Sequence, residues 1–316
     1  MLTRTPDGKQ VCVIIPTLNE EPTIQTVIKG LPARVHDRPI FVLVVDGHST
    51  DQTVKLAQES GAQVILQRSK GKGAAMKEGV RSVEAEIYVF IDGDGTYHSG
   101  EIEKLLTPII DGSADLVIGS RFIGEIEKGA VTWVNRLGNR VFNFMNRIAT
   151  GARITDMLSG YRAIRGSALK EMVLLTKHFE IETEITVEAI TRGFTVLEVP
   201  IQYSRRQAAA SKLKPLQDGT KIFRSILFFI LNLRPLFFFS IIACIFFAIG
   251  LWPAAYVLYE KIYFGQIIHI PSVVLSALLF TAGGLTIVFG LLAELIVTTR
   301  RRLEYSLRSI ERKHQD

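Results

Sequence analysis

Only two of the 316 residues are cysteine, Cys12 in a short apolar run and Cys244 inside a longer one. That pair does not suit a disulfide framework, and no cysteine spacing of the metal-binding kind exists. No long apolar segment precedes Thr17, so no cleaved signal peptide is expected and the soluble part is expected to stay in the cytosol. Signatures of nucleic-acid binding are missing too. The net charge is +6, yet no stacking or groove-reading motif accompanies it. The basic residues sit elsewhere: Arg205, Arg206, Lys212, Lys214, Lys221, Arg224 and Arg234 precede one apolar span, and Arg300, Arg301 and Arg302 follow another. Clusters so placed favour anionic lipid headgroups and fix orientation in a bilayer.

Apolar residues are plentiful, at 47% of the chain, and concentrated in its last third. Pro235 to Tyr259 and Ile270 to Ala293 carry no charge, and each exceeds the roughly 20 residues needed to cross a bilayer. Arginines flank the outer end of each span, so both flanks are expected in the cytoplasm and the short link, Glu260 to His269, outside. Two buried core helices are the alternative. Gly283, Gly284 and Gly290 suit packing in a homo-oligomer or against the partner span. Upstream, Ile222-Phe223, Ile226-Leu227 and Ile230-Leu231 alternate with polar residues as an amphipathic interfacial helix does, and Leu303 to Lys313 reads as a second. The expected organisation is a cytoplasmic domain over 1–215, an interfacial helix over 216–234, two transmembrane helices over 235–299 and a basic cytoplasmic helix over 300–316.

The first 200 residues alternate short apolar runs with helical patterns, which predicts an α/β domain with a mainly parallel sheet and helices on both faces. Strands are expected at Val11–Ile15, Ile40–Val45, Val64–Leu66, Ile87–Ile91 and Leu116–Ile118, and helices at Ile24–Leu31, Thr53–Ser60, Ala74–Val83 and Ile102–Ile110. Ligands of such sheets bind at the carboxyl ends of strands. Three strands end in polar sets there: Pro16-Thr17-Leu18-Asn19-Glu20-Glu21, Asp46-Gly47-His48-Ser49-Thr50-Asp51 and Asp92-Gly93-Asp94-Gly95-Thr96. Singly, each has an ordinary explanation as a helix cap or a turn.

Asp92, Asp94, Thr96 and Glu103 also fall at ligand positions of a calcium loop, but Tyr97 stands where that loop needs glycine and a strand leads in. Two carboxylates on a glycine turn instead suit Mg²⁺ or Mn²⁺ shared with substrate phosphates. Lys70-Gly71-Lys72-Gly73 opens a helix, where backbone amides and Lys72 could meet a phosphate. It matches neither a Walker A loop nor a dinucleotide fingerprint.

Taken together, VIIPTLNEE, VVDGHSTDQT, GKGAAMKEG, FIDGDGTY, VIGSRF, TDMLSGYRA and RRQAAASKL resemble, in content and order, the family 2 glycosyltransferases of GT-A fold. The resemblance is to the polyprenyl-phosphate enzymes related to dolichol-phosphate mannose synthase, and it covers roughly residues 10 to 215. It implies inverting, metal-dependent transfer of one sugar from a nucleotide diphosphate sugar, UDP-sugar rather than GDP-mannose, to a polyprenyl phosphate at the cytoplasmic face of the lipid bilayer. By the same resemblance Pro16, Thr17, Asn19, Glu20 and Asp46 border the nucleotide, and Asp92 and Asp94 hold the metal and diphosphate. Related enzymes often carry glutamine where Thr96 stands, which leaves the third metal ligand open. Arg121 and Arg206 are expected on phosphate oxygens, and Arg136, Arg140, Ser211 and Lys212 near the lipid phosphate. Asp156, before the Ser159-Gly160-Tyr161-Arg162 turn, is a catalytic candidate. Two alternatives stand beside this reading: a related transferase acting on polysaccharide or another lipid, and a catalytically silent membrane scaffold.

Overall fold

The computed structural model describes residues 10–174, 181–206 and 235–313, and the chain divides into two compact units, Met1–Ile222 and Phe223–Asp316. In the first unit, β1 (Val11–Thr17) is central because Val11 to Ile15 are apolar on both faces, and all five are fully buried. It runs parallel to β3 (Arg38–Asp46) on one side and β5 (Ile87–Phe90) on the other. Beyond β3 lies the parallel β4 (Gln63–Leu66), and the two-residue β2 (Arg34–Val35) pairs antiparallel with the start of β3. On the far side of β5 come β7 (Arg162–Arg165), β6 (Leu116–Ile126) and β8 (Val196–Tyr203). There β7 is antiparallel to both neighbours, while β8 is parallel to β6.

The sheet is therefore mixed, with helices on both sides. Helices α1 (Ile24–Lys29), α2 (Thr53–Glu59), α3 (Lys72–Ser82) and α4 (Ile102–Ile110) stand close to their expected places. After β6 follow α5 (Trp133–Thr150), α6 (Gly166–Glu171) and α7 (Ile181–Thr191). Helix α3 lies close on β1 because Gly79 has no side chain: a Cβ there would come within 2.8 Å of Ile14 Cγ2. Strand β6 is much longer than the expected Leu116–Ile118. It shifts register between Ser120 and Glu125, where Gly124 passes so near Ile201 that a Cβ would sit 2.0 Å from its carbonyl oxygen. Because β1, β3 and β5 are parallel, the segments after Thr17, Asp46 and Phe90 share one edge of the sheet.

The second unit is a pair of helices, α8 (Pro235–Phe264) and α9 (Ile270–Lys313). The 30 residues of α8 reach about 45 Å at ~1.5 Å per residue, more than the roughly 30 Å hydrocarbon core. In each candidate span only 17% of the apolar window is buried, which does not suit core helices. Where the two helices meet, two glycines of α9 receive side chains of α8: a Cβ at Gly283 would lie 2.8 Å from the Phe247 ring, and one at Gly290 would lie 2.8 Å from Phe239 Cβ. These two glycines thus serve the partner span, while Gly284 faces open space. Helix α9 runs on through Leu303 to Lys313 as one helix rather than breaking into a second, since no glycine or proline follows Gly290. The expected interfacial helix over 216–234, Ser211 and Lys212 lie outside the described residues.

Candidate active site

The loops after β1 and β3 are tied together by their own polar groups. Asn19 adopts φ 56°, a left-handed conformation that asparagine tolerates. Its amide donates to Ser49 Oγ (2.9 Å), and its Oδ1 accepts from the Thr50 amide (2.8 Å). Asp46 is fully buried and accepts from Thr17 Oγ1 (3.0 Å), the Ser49 amide (2.8 Å) and Ser49 Oγ (2.6 Å). Asp51 accepts from the amide of Thr53 (3.0 Å), the first residue of α2. Asn19 and Asp46, expected beside the nucleotide, thus shape the loops in this structure.

At the end of β5, Thr23 Oγ1 donates to the Gly93 carbonyl (2.7 Å), and a Cβ at Gly93 would come within 3.0 Å of Thr17 Cγ2. This packing fixes the turn that carries Asp92 and Asp94. Thr96 is buried, and both its amide (3.1 Å) and its hydroxyl (2.7 Å) donate to Asp94 Oδ1. Thr96, where the third metal ligand was left open, orients the second carboxylate in this structure. Asp94 Oδ2 lies 3.7 Å from Arg206 Nε, and Arg206 Nη2 donates to Glu20 Oε1 (2.5 Å). The other Glu20 oxygen, Oε2, is buried and has no hydrogen-bond partner among the described residues.

Burial pushes Glu20 up from 4.5 to about 7, with Arg206 opposing and Asp94 and Asp92 reinforcing the rise. Between about pH 4.5 and 7 the folded protein therefore holds a proton that the unfolded chain has released, and stability falls as pH rises through that window. In metal-free buffer, the melting temperature of the Glu20→Gln variant is expected to gain on that of the native protein as pH goes from 5 to 8. A gap that stays constant with pH would show that Glu20 titrates normally.

Lys72, the first residue of α3, pairs with Asp92 and with Glu182 Oε1 (2.6 Å) from the first turn of α7. Pro16, Thr17, Glu20, Lys72, Asp92, Asp94 and Arg206 all line one cavity of about 760 Å³ at this edge, which continues past Gly47, His48 and Arg68. Seven expected residues thus converge. Arg121 and Asp156 do not line it. Asp156 is fully buried and takes the Arg121 amide (3.0 Å), Nε (2.7 Å) and Nη2 (2.7 Å), while the guanidinium rests 5.1 Å from the centre of the Tyr203 ring. Arg136 and Arg140 lie exposed on α5, whose outer surface also shows Trp133, Leu137 and Phe144.

Glu182 and Tyr97 were not expected at the site, whereas Arg162 was expected there only as part of the Ser159-Gly160-Tyr161-Arg162 turn. Tyr97 Oη accepts from the Gly160 amide (2.8 Å), which seats Gly160 against Asp92. Among the described residues no three His, Cys, Asp or Glu side chains converge as a closed metal cage. Two carboxylates beside an open cavity nevertheless fit a hard cation that keeps most of its coordination for water and phosphate oxygens.

Residues 12–173 match the sequence model of glycosyl transferase family 2. Glycosyltransferase AglJ of Haloferax volcanii is 37% identical over 309 residues, covering 97% of this chain and 99% of the relative. The chain belongs to the family 2 glycosyltransferases. Dolichyl-phosphate hexose transferase from the same organism is 35% identical to this glycosyltransferase over 68% of the chain and 92% of its own length. Polyprenol monophosphomannose synthase of Mycolicibacterium smegmatis is 32% identical over 65% and 81%. Among solved structures, glucosyl-3-phosphoglycerate synthase from Mycobacterium tuberculosis, in complex with Mn²⁺, uridine diphosphate and phosphoglyceric acid, matches with a TM-score of 0.57 at 24% identity. That match covers 70% of this chain and 78% of the other, and it places the glycosyltransferase unit in the same fold.

Proposed function

We propose that this glycosyltransferase moves one sugar, with inversion, from a nucleotide diphosphate donor to a polyprenyl phosphate at the cytoplasmic membrane face. Asp92 and Asp94 carry the proposal: they stand together on the turn after β5, open to a cavity that also holds the cations Lys72 and Arg206. These two carboxylates would hold Mg²⁺ or Mn²⁺, which when bound neutralises charge on the diphosphate leaving group. Thr96 keeps Asp94 turned into place, and Lys72 and Arg206 are within the cavity to bind diphosphate oxygens. A phosphate monoester acceptor is already anionic at neutral pH, so no strong base is required, and Asp156, with both oxygens on Arg121, is assigned to holding that arginine.

The dolichyl-phosphate and polyprenol relatives and the chain's own apolar features support this acceptor class. The two long apolar helices would anchor it, and the exposed Trp133, Leu137 and Phe144 beside Arg136 and Arg140 suit a headgroup layer and a lipid phosphate. Uridine is proposed over guanosine because the fold neighbour binds uridine diphosphate with Mn²⁺. Calorimetric titration of UDP and GDP into the detergent-solubilised protein tests the donor side. UDP is expected to bind with Mn²⁺ present and to weaken at least about tenfold in chelator. Tighter binding of GDP would overturn the base preference, and metal-independent binding of both would overturn the site assignment.

A further inference from the structure

Lys72 is a half-buried cation shared by two carboxylates of different standing. Asp92 belongs to the proposed metal pair and faces the cavity; Glu182 is 3% exposed and does not line it. Lys72 Nζ stands between the two, pairing with Asp92 and, at 2.6 Å, with Glu182 Oε1. The fold fixes both ends of this arrangement. Arg162, fully buried, donates from Nε to the Ser159 carbonyl (3.1 Å), and from Nη1 to the Glu182 carbonyl and Thr186 Oγ1 (3.2 Å). It thereby pins the first turn of α7 to the turn before β7. Gly160 closes the other side, since a Cβ there would sit 2.6 Å from Asp92 Oδ2 and 3.0 Å from Lys72 Nζ.

A divalent ion that binds Asp92 competes with Lys72 for the same carboxylate. A half-buried ammonium left without any partner would be disfavoured. Glu182 prevents that outcome, because Lys72 keeps one carboxylate after Asp92 turns to the metal. We propose that Glu182 is a positioning residue that retains Lys72 during this exchange, so that one lysine neutralises Asp92 before the metal binds and faces the donor diphosphate afterwards. This role rests on Asp92 and Asp94 being the metal carboxylates.

The test is a titration of Mn²⁺ alone into the full-length, detergent-solubilised protein, with free Mn²⁺ read by electron paramagnetic resonance. Glu182→Gln is expected to weaken Mn²⁺ binding about tenfold, whereas Lys72→Met, which removes the competing ammonium, tightens it by a similar factor. Lys72→Met is also expected to raise the KM for the donor, so its effects on metal and on donor have opposite signs. Added to Lys72→Met, the Glu182→Gln change is expected to leave Mn²⁺ affinity unaltered. Equal weakening by Glu182→Gln with and without the lysine would mean that Glu182 acts on the metal directly, and no weakening at all would mean that it does not act; either overturns the proposal. Glu182→Asp keeps the charge and is expected to bind Mn²⁺ within about threefold of the native protein, which separates retention of Lys72 from a folding defect. Loss of that affinity in a folded Glu182→Asp protein would count against retention by charge. Asp92→Asn tests the underlying site: native-like Mn²⁺ binding in that variant removes the metal assignment itself, while its loss beside an unaffected Glu182→Gln removes only the role of Glu182.

Discussion

Asp92→Asn is expected to lower kcat/KM for the sugar donor by at least about 10³-fold, the scale on which a group opposing charge in the transition state acts. The substitution keeps the shape of the side chain and removes its charge. Lys72 retains Glu182 as a partner, and the Gly93 turn is still held by Thr23 and packed on Thr17. Folding should therefore be little affected, with the loss confined to the metal and diphosphate. Initial rates over a donor series, with thermal melts of the same preparations, separate the two effects. More than a tenth of native activity in this variant would be incompatible with Asp92 as a metal carboxylate.

Arg121→Met is expected to cost about 3–5 kcal/mol of stability, because it leaves the carboxylate of Asp156 buried without its counter-charge. Asp156 has no exposed surface, and three of its hydrogen bonds come from Arg121. Glu198 stands close behind, accepting from the Thr155 amide (2.8 Å) and the Asp156 amide (2.9 Å), so a second carboxylate would add repulsion once the arginine is gone. Arg121→Met combined with Asp156→Asn should recover more than half of the loss, as measured by urea unfolding. No recovery in the double variant would mean that the arginine contributes by packing on Tyr203 rather than by charge.

Much of this arrangement was readable from the chain because its physics is local. Val11 to Ile15 announces a buried strand, and the polar sets after three strands mark the sheet edge where ligands gather. Strand β7 was not readable: Arg162-Ala163-Ile164-Arg165 has arginine at both ends, and Arg162 is buried only because carbonyls from the 157–159 turn and α7 satisfy it. Glu182 escaped for a related reason. It sits 90 positions beyond Asp92 in a helix whose Glu182, Thr183 and Thr186 are all buried, so neither periodicity nor spacing distinguishes it. Asp46, Arg121 and Thr96 show the reverse case. Their residue types suit ligand contact, and in this structure each also holds an internal hydrogen-bond partner that sequence spacing does not reveal.

Transfer of radiolabelled sugar to polyprenyl phosphate in vesicles containing the full-length protein bears most directly on the central claim. With a UDP-sugar and Mn²⁺, label is expected to enter an organic-soluble lipid phosphate whose anomeric configuration is opposite to the donor's, and chelator is expected to abolish it. Transfer that continues in excess chelator, or a product that retains the donor's configuration, would contradict a metal-assisted, single-displacement enzyme built around Asp92 and Asp94.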